Sequence, residues 1–145
     1  MPKRTFCIVL VVVVAVVLVL TGIVGLLFYN GYRQFLVEDQ ITHEVIALAS
    51  AIEQYRTDHN RWPDDLRELI PTYLPQEPDL SYMETIEVSH TPDLSEPWSV
   101  YALSHYGGED RVYLYVSDGV LTSSQEAREL GMIHGVYVLS GDRPD

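Results

Sequence analysis

The hydrophobic and polar positions along the chain change rhythm twice. From Phe6 to Phe28 the run FCIVLVVVVAVVLVLTGIVGLLF is apolar almost throughout, with no charged residue in 23 positions. A helix of that length crosses a hydrocarbon core of ~30 Å, so the run predicts a transmembrane segment. Beyond it, Ile41, Val45, Leu48, Ile52 and Tyr55 recur at alternating spacings of four and three, which lines one face of a helix. No proline interrupts the chain between Pro2 and Pro63. The two patterns therefore predict one helix over about 6–57, roughly 75–80 Å long at ~1.5 Å per residue. Ala47, Ala49 and Ala51 allow another element to approach closely. Gly22, Gly25 and Gly31 are its weak points, each about 1 kcal/mol less favourable than alanine.

The third rhythm begins after residue 59. Pro63-Asp64-Asp65 reads as a helix start, and Leu66, Leu69 and Ile70 give a short helix over 63–70 ended by Pro71. Pro75, Pro78, Pro92 and Pro97 punctuate an irregular stretch with a strand near 82–88. WSVYALSHY (98–106) and RVYLYVSD (111–118) alternate and are rich in Val and Tyr, so they predict a hairpin across GGED. Ser123 and Glu126 stand at capping-box spacing, predicting a helix over 124–130 that Gly131 stops. MIHGVYVLS (132–140) reads as one last strand, and the polar GDRPD is expected to fray. The fold class is α+β: a transmembrane helix continuing into a long helix packed on a small, mainly antiparallel sheet. The expected divisions are 1–5 before the membrane, 6–28 across it, 29–58 as the continuing helix, 59–140 as the head and 141–145 as the tail.

Charge sharpens this picture. Lys3 and Arg4 precede the span, whereas only Arg33 follows closely, beside Glu38 and Asp39. Basic flanks stay on the cytoplasmic side, so the N-terminus is expected inside and the head outside, with Tyr29, Tyr32 and Phe35 at the outer interface. A cleaved secretory signal is the competing reading. Its apolar core is typically ~7–15 residues before a small-x-small site, and this run is longer and lacks that site. All 21 acidic residues follow the span against seven Arg and no Lys, leaving about −14 of formal charge there. Such a surface disfavours nucleic acid and anionic lipid and favours cations or basic partners. The single cysteine, Cys7, allows no intrachain disulfide, so the head must be held by a packed core.

Certain short motifs carry a family resemblance. Tyr55, Asp58, Asn60, Trp62 and Pro63 follow a Y-x-x-D-x-G-x-Y/W-P pattern, with Asn60 in the place of Gly. Further on stand Glu96-Pro97-Trp98 and then Tyr115-Val116-Ser117-Asp118-Gly119. In this order the motifs resemble the type IV pilin-like family, and within it the pseudopilins of type II secretion. The resemblance implies a non-catalytic structural subunit of a secretion or pilus-like assembly in the inner membrane, contacting other protein subunits. Family precursors are cut after a Gly that precedes the opening Phe, and carry a Glu five residues into the mature chain. Here Thr5 and Leu10 stand in those places, so the carboxylate that pairs in lipid during filament assembly is missing. Some pseudopilins bind calcium after the Asp-Gly, which makes Asp118 the candidate ligand. Ser123, Ser124 and Glu126 follow it, without the family's paired Asp.

Enzyme chemistry finds little footing. The five histidines are scattered, with no H-E-x-x-H and no Gly-rich phosphate loop. His90, Asp93 and Glu96 share a Pro-interrupted polar loop that reads as a loop before a metal site. Ser104 and His105 are neighbours on a strand and so point to opposite faces. Trp62 and Trp98 read as core anchors. Tyr101, Tyr106, Tyr113, Tyr115 and Tyr137 divide between the sheet faces, and an outward Tyr stripe would be a protein interface. Two other functions stay open: an anchored module that binds a cation or basic partner, and an accessory subunit of an unrelated membrane complex that associates through residues 6–28.

Overall fold

The structure is a computed structural model that describes residues 3–106 and 109–141. Gly107, Gly108, residues 142–145 and the side chains of residues 3–7 and of Val9 lie outside what is described. The chain divides into two compact units between Leu36 and Val37. Helix α1 spans Lys3–His59, and no proline interrupts it. In the first unit its apolar side chains are exposed on every side, from Leu10 through Phe28 to Leu36. That stretch is long and apolar enough to cross a membrane.

The second unit is α+β, with the remainder of α1 packed on a five-stranded antiparallel sheet. The strands are β1 (Thr85–Ser89), β2 (Ser99–Ser104), β3 (Arg111–Val116), β4 (Glu129–Ile133) and β5 (Val136–Ser140), and their order is β1-β2-β3-β5-β4. The stripe Ile41, Val45, Leu48, Ile52 and Tyr55 is buried along its length, joined by Val37, Ala49 and Ala51. It meets Val100, Ala102, Tyr113, Val136 and Val138 from one face of the sheet. Each fully buried aliphatic side chain is worth about 1.5–3 kcal/mol, so this seam carries the head. Strand alternation sends Tyr101, Val112, Leu114 and Leu139 to the opposite face, where they pack with Leu121 in a second, smaller core.

Three elements differ from expectation. MIHGVYVLS is a hairpin, because His134 (φ 51°) and Gly135 (φ 86°) both take the left-handed region between paired Ile133 and Val136. Two consecutive positive φ values make the tight two-residue turn that suits a twisted hairpin. Gly131 therefore lies within β4, beside a bulge where the register shifts between Glu129 and Gly131. The helix expected over 124–130 is the single turn α2 (Ser123–Glu126), with Thr122 as its cap and the amide of Thr122 donating to Gln125 Oε1 at 3.0 Å. The helix expected over 63–70 is one 3-10 turn, Leu66–Leu69, capped by Asp65, whose Oδ1 accepts from the Arg67 amide at 2.8 Å. At this 3-10 turn the capping side chain set the start: it needs an amide two or three residues ahead, and Asp65 reaches that of Arg67.

Candidate functional site

The motif Tyr55–Pro63 forms the exit from α1. Asn60 takes φ 51°, and its amide donates to the Arg56 carbonyl at 2.8 Å, closing the helix as a left-handed cap. The Tyr55 hydroxyl donates to Glu68, which also accepts from Arg61 at 2.7 Å and from the Asp64 amide at 2.9 Å. These donors stabilise the carboxylate, led by Tyr55 and then Arg61, and hold its pKa down to about 2. Asp58 accepts from the Tyr73 hydroxyl at 2.7 Å. Trp62 is buried, stacks with His90 at 4.4 Å between ring centroids, meets Trp98 edge-on at 5.7 Å, and carries the Arg56 guanidinium 4.2 Å from its ring centroid. Pro63 is half-buried beside it. The motif thus joins the end of α1 to the head.

The second landmark closes the β2–β3 hairpin. Trp98 is buried, its amide donates to Ser117 Oγ at 3.0 Å, and the Ser117 amide returns a bond to the Trp98 carbonyl at 2.9 Å. Pro97 just before it is exposed. Asp118 Oδ1 accepts from the Val120 amide at 2.9 Å, and Gly119 takes φ 70° at the turn between them. Asp118, His90, Trp98 and Thr122 line an open cavity of about 410 Å³. Ser123, Ser124 and Glu126 are exposed and belong to α2.

Other expected groups are separated by the fold. Ser104 is buried and donates to the Tyr82 carbonyl at 2.7 Å, while the exposed His105 lies between Asp110 and Glu84. Those two carboxylates, Asp110 first, raise the imidazole pKa above its usual value. Tyr106, Tyr113 and Tyr115 belong to the α1 side of the sheet, and Tyr101 and Tyr137 to the other. No outward Tyr stripe results, since Tyr101 is buried with its hydroxyl on Glu87 at 2.5 Å and Tyr137 donates to the Gly119 carbonyl at 2.8 Å. Burial pushes the Tyr113 phenol up to about 12. In the polar loop, Asp93 turns back on Ser95, accepting from its amide and its hydroxyl at 2.8 Å each.

One cluster that the sequence reasoning missed has the donors of a metal centre. Asp39 and His43 occupy adjacent turns of α1, and the β4–β5 turn brings His134 to them across 91 residues of chain from His43. One donor atom from each lies within 4.8 Å of the other two. His134 Nε2 donates to Asp39 Oδ1 at 2.9 Å. His43 Nδ1 donates to the Asp39 carbonyl at 2.7 Å, and its ring lies 5.2 Å from that of His134. Among the described residues this is the one group of three His, Asp or Glu side chains close enough to share an ion. The local signal was Asp39 and His43 at i, i+4, but His134 enters only through the hairpin that was read as a single strand. No family model, curated protein or solved structure matches the chain.

Proposed function

We propose that the protein is a non-catalytic, single-pass membrane subunit of a cell-envelope assembly, with a pilin-like head of the pseudopilin type. The observation that supports this most is α1 itself: one helix supplies both an apolar stretch fit for a membrane and the buried seam of an α+β head. The Asn60 helix exit, Trp98 and the Asp118-Gly119 turn occupy the landmark positions of the resemblance, and each has a structural role in the head. In this reading the basic Lys3 and Arg4 hold the N-terminus in the cytoplasm, the span lies in the inner membrane and the head faces outward. Thr5 and Leu10 point to an accessory, unprocessed subunit rather than a major filament component, because the intramembrane carboxylate is missing.

Mild-detergent extraction after crosslinking in membranes is expected to recover the chain in a complex with other envelope proteins, and intact mass should show residues 1–5 retained. A monomer that crosslinks to nothing would sink the proposal. Cleavage after Thr5 would overturn its unprocessed form.

A further inference from the structure

We infer that Asp39, His43 and His134 form a binding site for a divalent transition metal, with Zn²⁺ the ion that suits it best. Two imidazoles and one carboxylate favour zinc and its neighbours over calcium, which takes oxygen donors. Three protein ligands with a fourth position left to water is an established arrangement for zinc. Around a tetrahedral zinc with bonds of 2.0–2.1 Å the donor atoms stand about 3.3 Å apart. Here they already lie within 4.8 Å of one another, so closure needs only small side-chain rotations. Such rotations are open to His43 and His134, whose side chains are 65% and 54% exposed.

The surroundings fit a ligand set. A carbonyl only accepts, so the contact of His43 Nδ1 with the Asp39 carbonyl places the ring proton on Nδ1. Nδ1 is also the His43 nitrogen that faces the carboxylate, 3.6 Å from Asp39 Oδ2, so ligation moves the ring proton to Nε2 and frees the Nδ1 lone pair for the ion. The proton that His134 Nε2 now shares with Asp39 Oδ1 is the one that a metal would replace. The backbone holds the ligands from two elements: Asp39 and His43 on α1, and His134 on a turn with φ 51° and 86° at residues 134 and 135. A bound ion would tie α1 to the β4–β5 hairpin, the outer pair of strands in the sheet. This inference does not depend on membership of an envelope assembly.

The test uses the untagged full chain in detergent micelles, stripped of metal with a chelator. Titration with ZnCl₂ should give one ion per chain and raise the melting temperature, and CoCl₂ should give the visible absorption of a tetrahedral site. His43→Gln and His134→Gln should each weaken Zn²⁺ binding roughly tenfold or more. His105→Gln, away from the cluster, should bind as the parent does. All three positions are exposed, and circular dichroism of each variant reports its fold. No heat and no cobalt band, or binding that survives both His43→Gln and His134→Gln, would overturn the inference.

Discussion

Residues 10–28 and 37–55 of α1 share one backbone conformation and differ in how their side chains meet their surroundings. In the first, valine and leucine point in every direction and all are exposed; in the second, the large apolar residues Val37, Ile41, Val45, Leu48, Ile52 and Tyr55 form one stripe that is buried, with Ile46 half-buried and Ala47 exposed beside it. A helix apolar all round needs an apolar solvent, which a bilayer supplies, whereas a striped helix needs a partner surface in water. Composition is enough to specify the first. The second also demands register, since each stripe residue must meet a particular position on the sheet.

That contrast can be tested with the fluorescence of Trp62 and Trp98, both of which lie in the head. The largest effect is expected from Ile52→Ala, which opens a cavity in a fully buried seam and should lower head stability by about 2–5 kcal/mol in urea unfolding. Val17→Ala in the first stretch should leave it within about 0.5 kcal/mol. Equal losses would erase the distinction.

Glycine sharpens the comparison at a smaller scale. Gly135→Ala should cost the head about 1–2 kcal/mol, because φ 86° strains any L side chain even though a Cβ there meets no neighbour. Gly25→Ala, in regular helix with equal space around it, should leave the Trp-reported unfolding unchanged. A Gly135→Ala head as stable as the parent would mean that the hairpin turn is not built from two left-handed residues.

The smallest effect is on pH. Glu68 and Asp65, each held down to about 2, stabilise the head above their ordinary values of 4.5 and 3.8, and that support is lost as pH falls towards 2. His105, raised above 6.5, contributes below that value and loses its contribution as pH rises through its higher folded pKa. The head's melting temperature should therefore show a shallow maximum between about pH 5 and 6.5. Glu68→Gln should flatten the acid limb and His105→Gln the alkaline one. Residues 8–28 carry no ionisable side chain and should add nothing. A profile with limbs unmoved by these variants would disprove the assignment.

Much of the fold was legible because its cause is local or periodic. The stripe from Ile41 to Tyr55 announced its buried face, Asn60 announced the helix exit, and the alternation of Val and Tyr announced β2 and β3. The β4–β5 hairpin was hidden because His134-Gly135 lacks the Asn-Gly or Asp-Gly that usually marks such a turn. A single strand there also conceals the Asp39-His43-His134 cluster, since a straight strand gives His134 no reason to reach Asp39. The Tyr set was read correctly as divided between faces, but the residues covering Tyr101 come from elsewhere in the chain.

By itself, then, the sequence determined the apolar stretch, the α+β class, the seam on α1 and the acidic surface, because each follows from composition or from a period of 3.6 or 2. Only the tertiary structure decided which residues meet across long separations: Trp62 with His90, His105 between Glu84 and Asp110, and His134 with Asp39. Such pairings depend on strand order and turn geometry, which are settled by the packing of the whole sheet against α1.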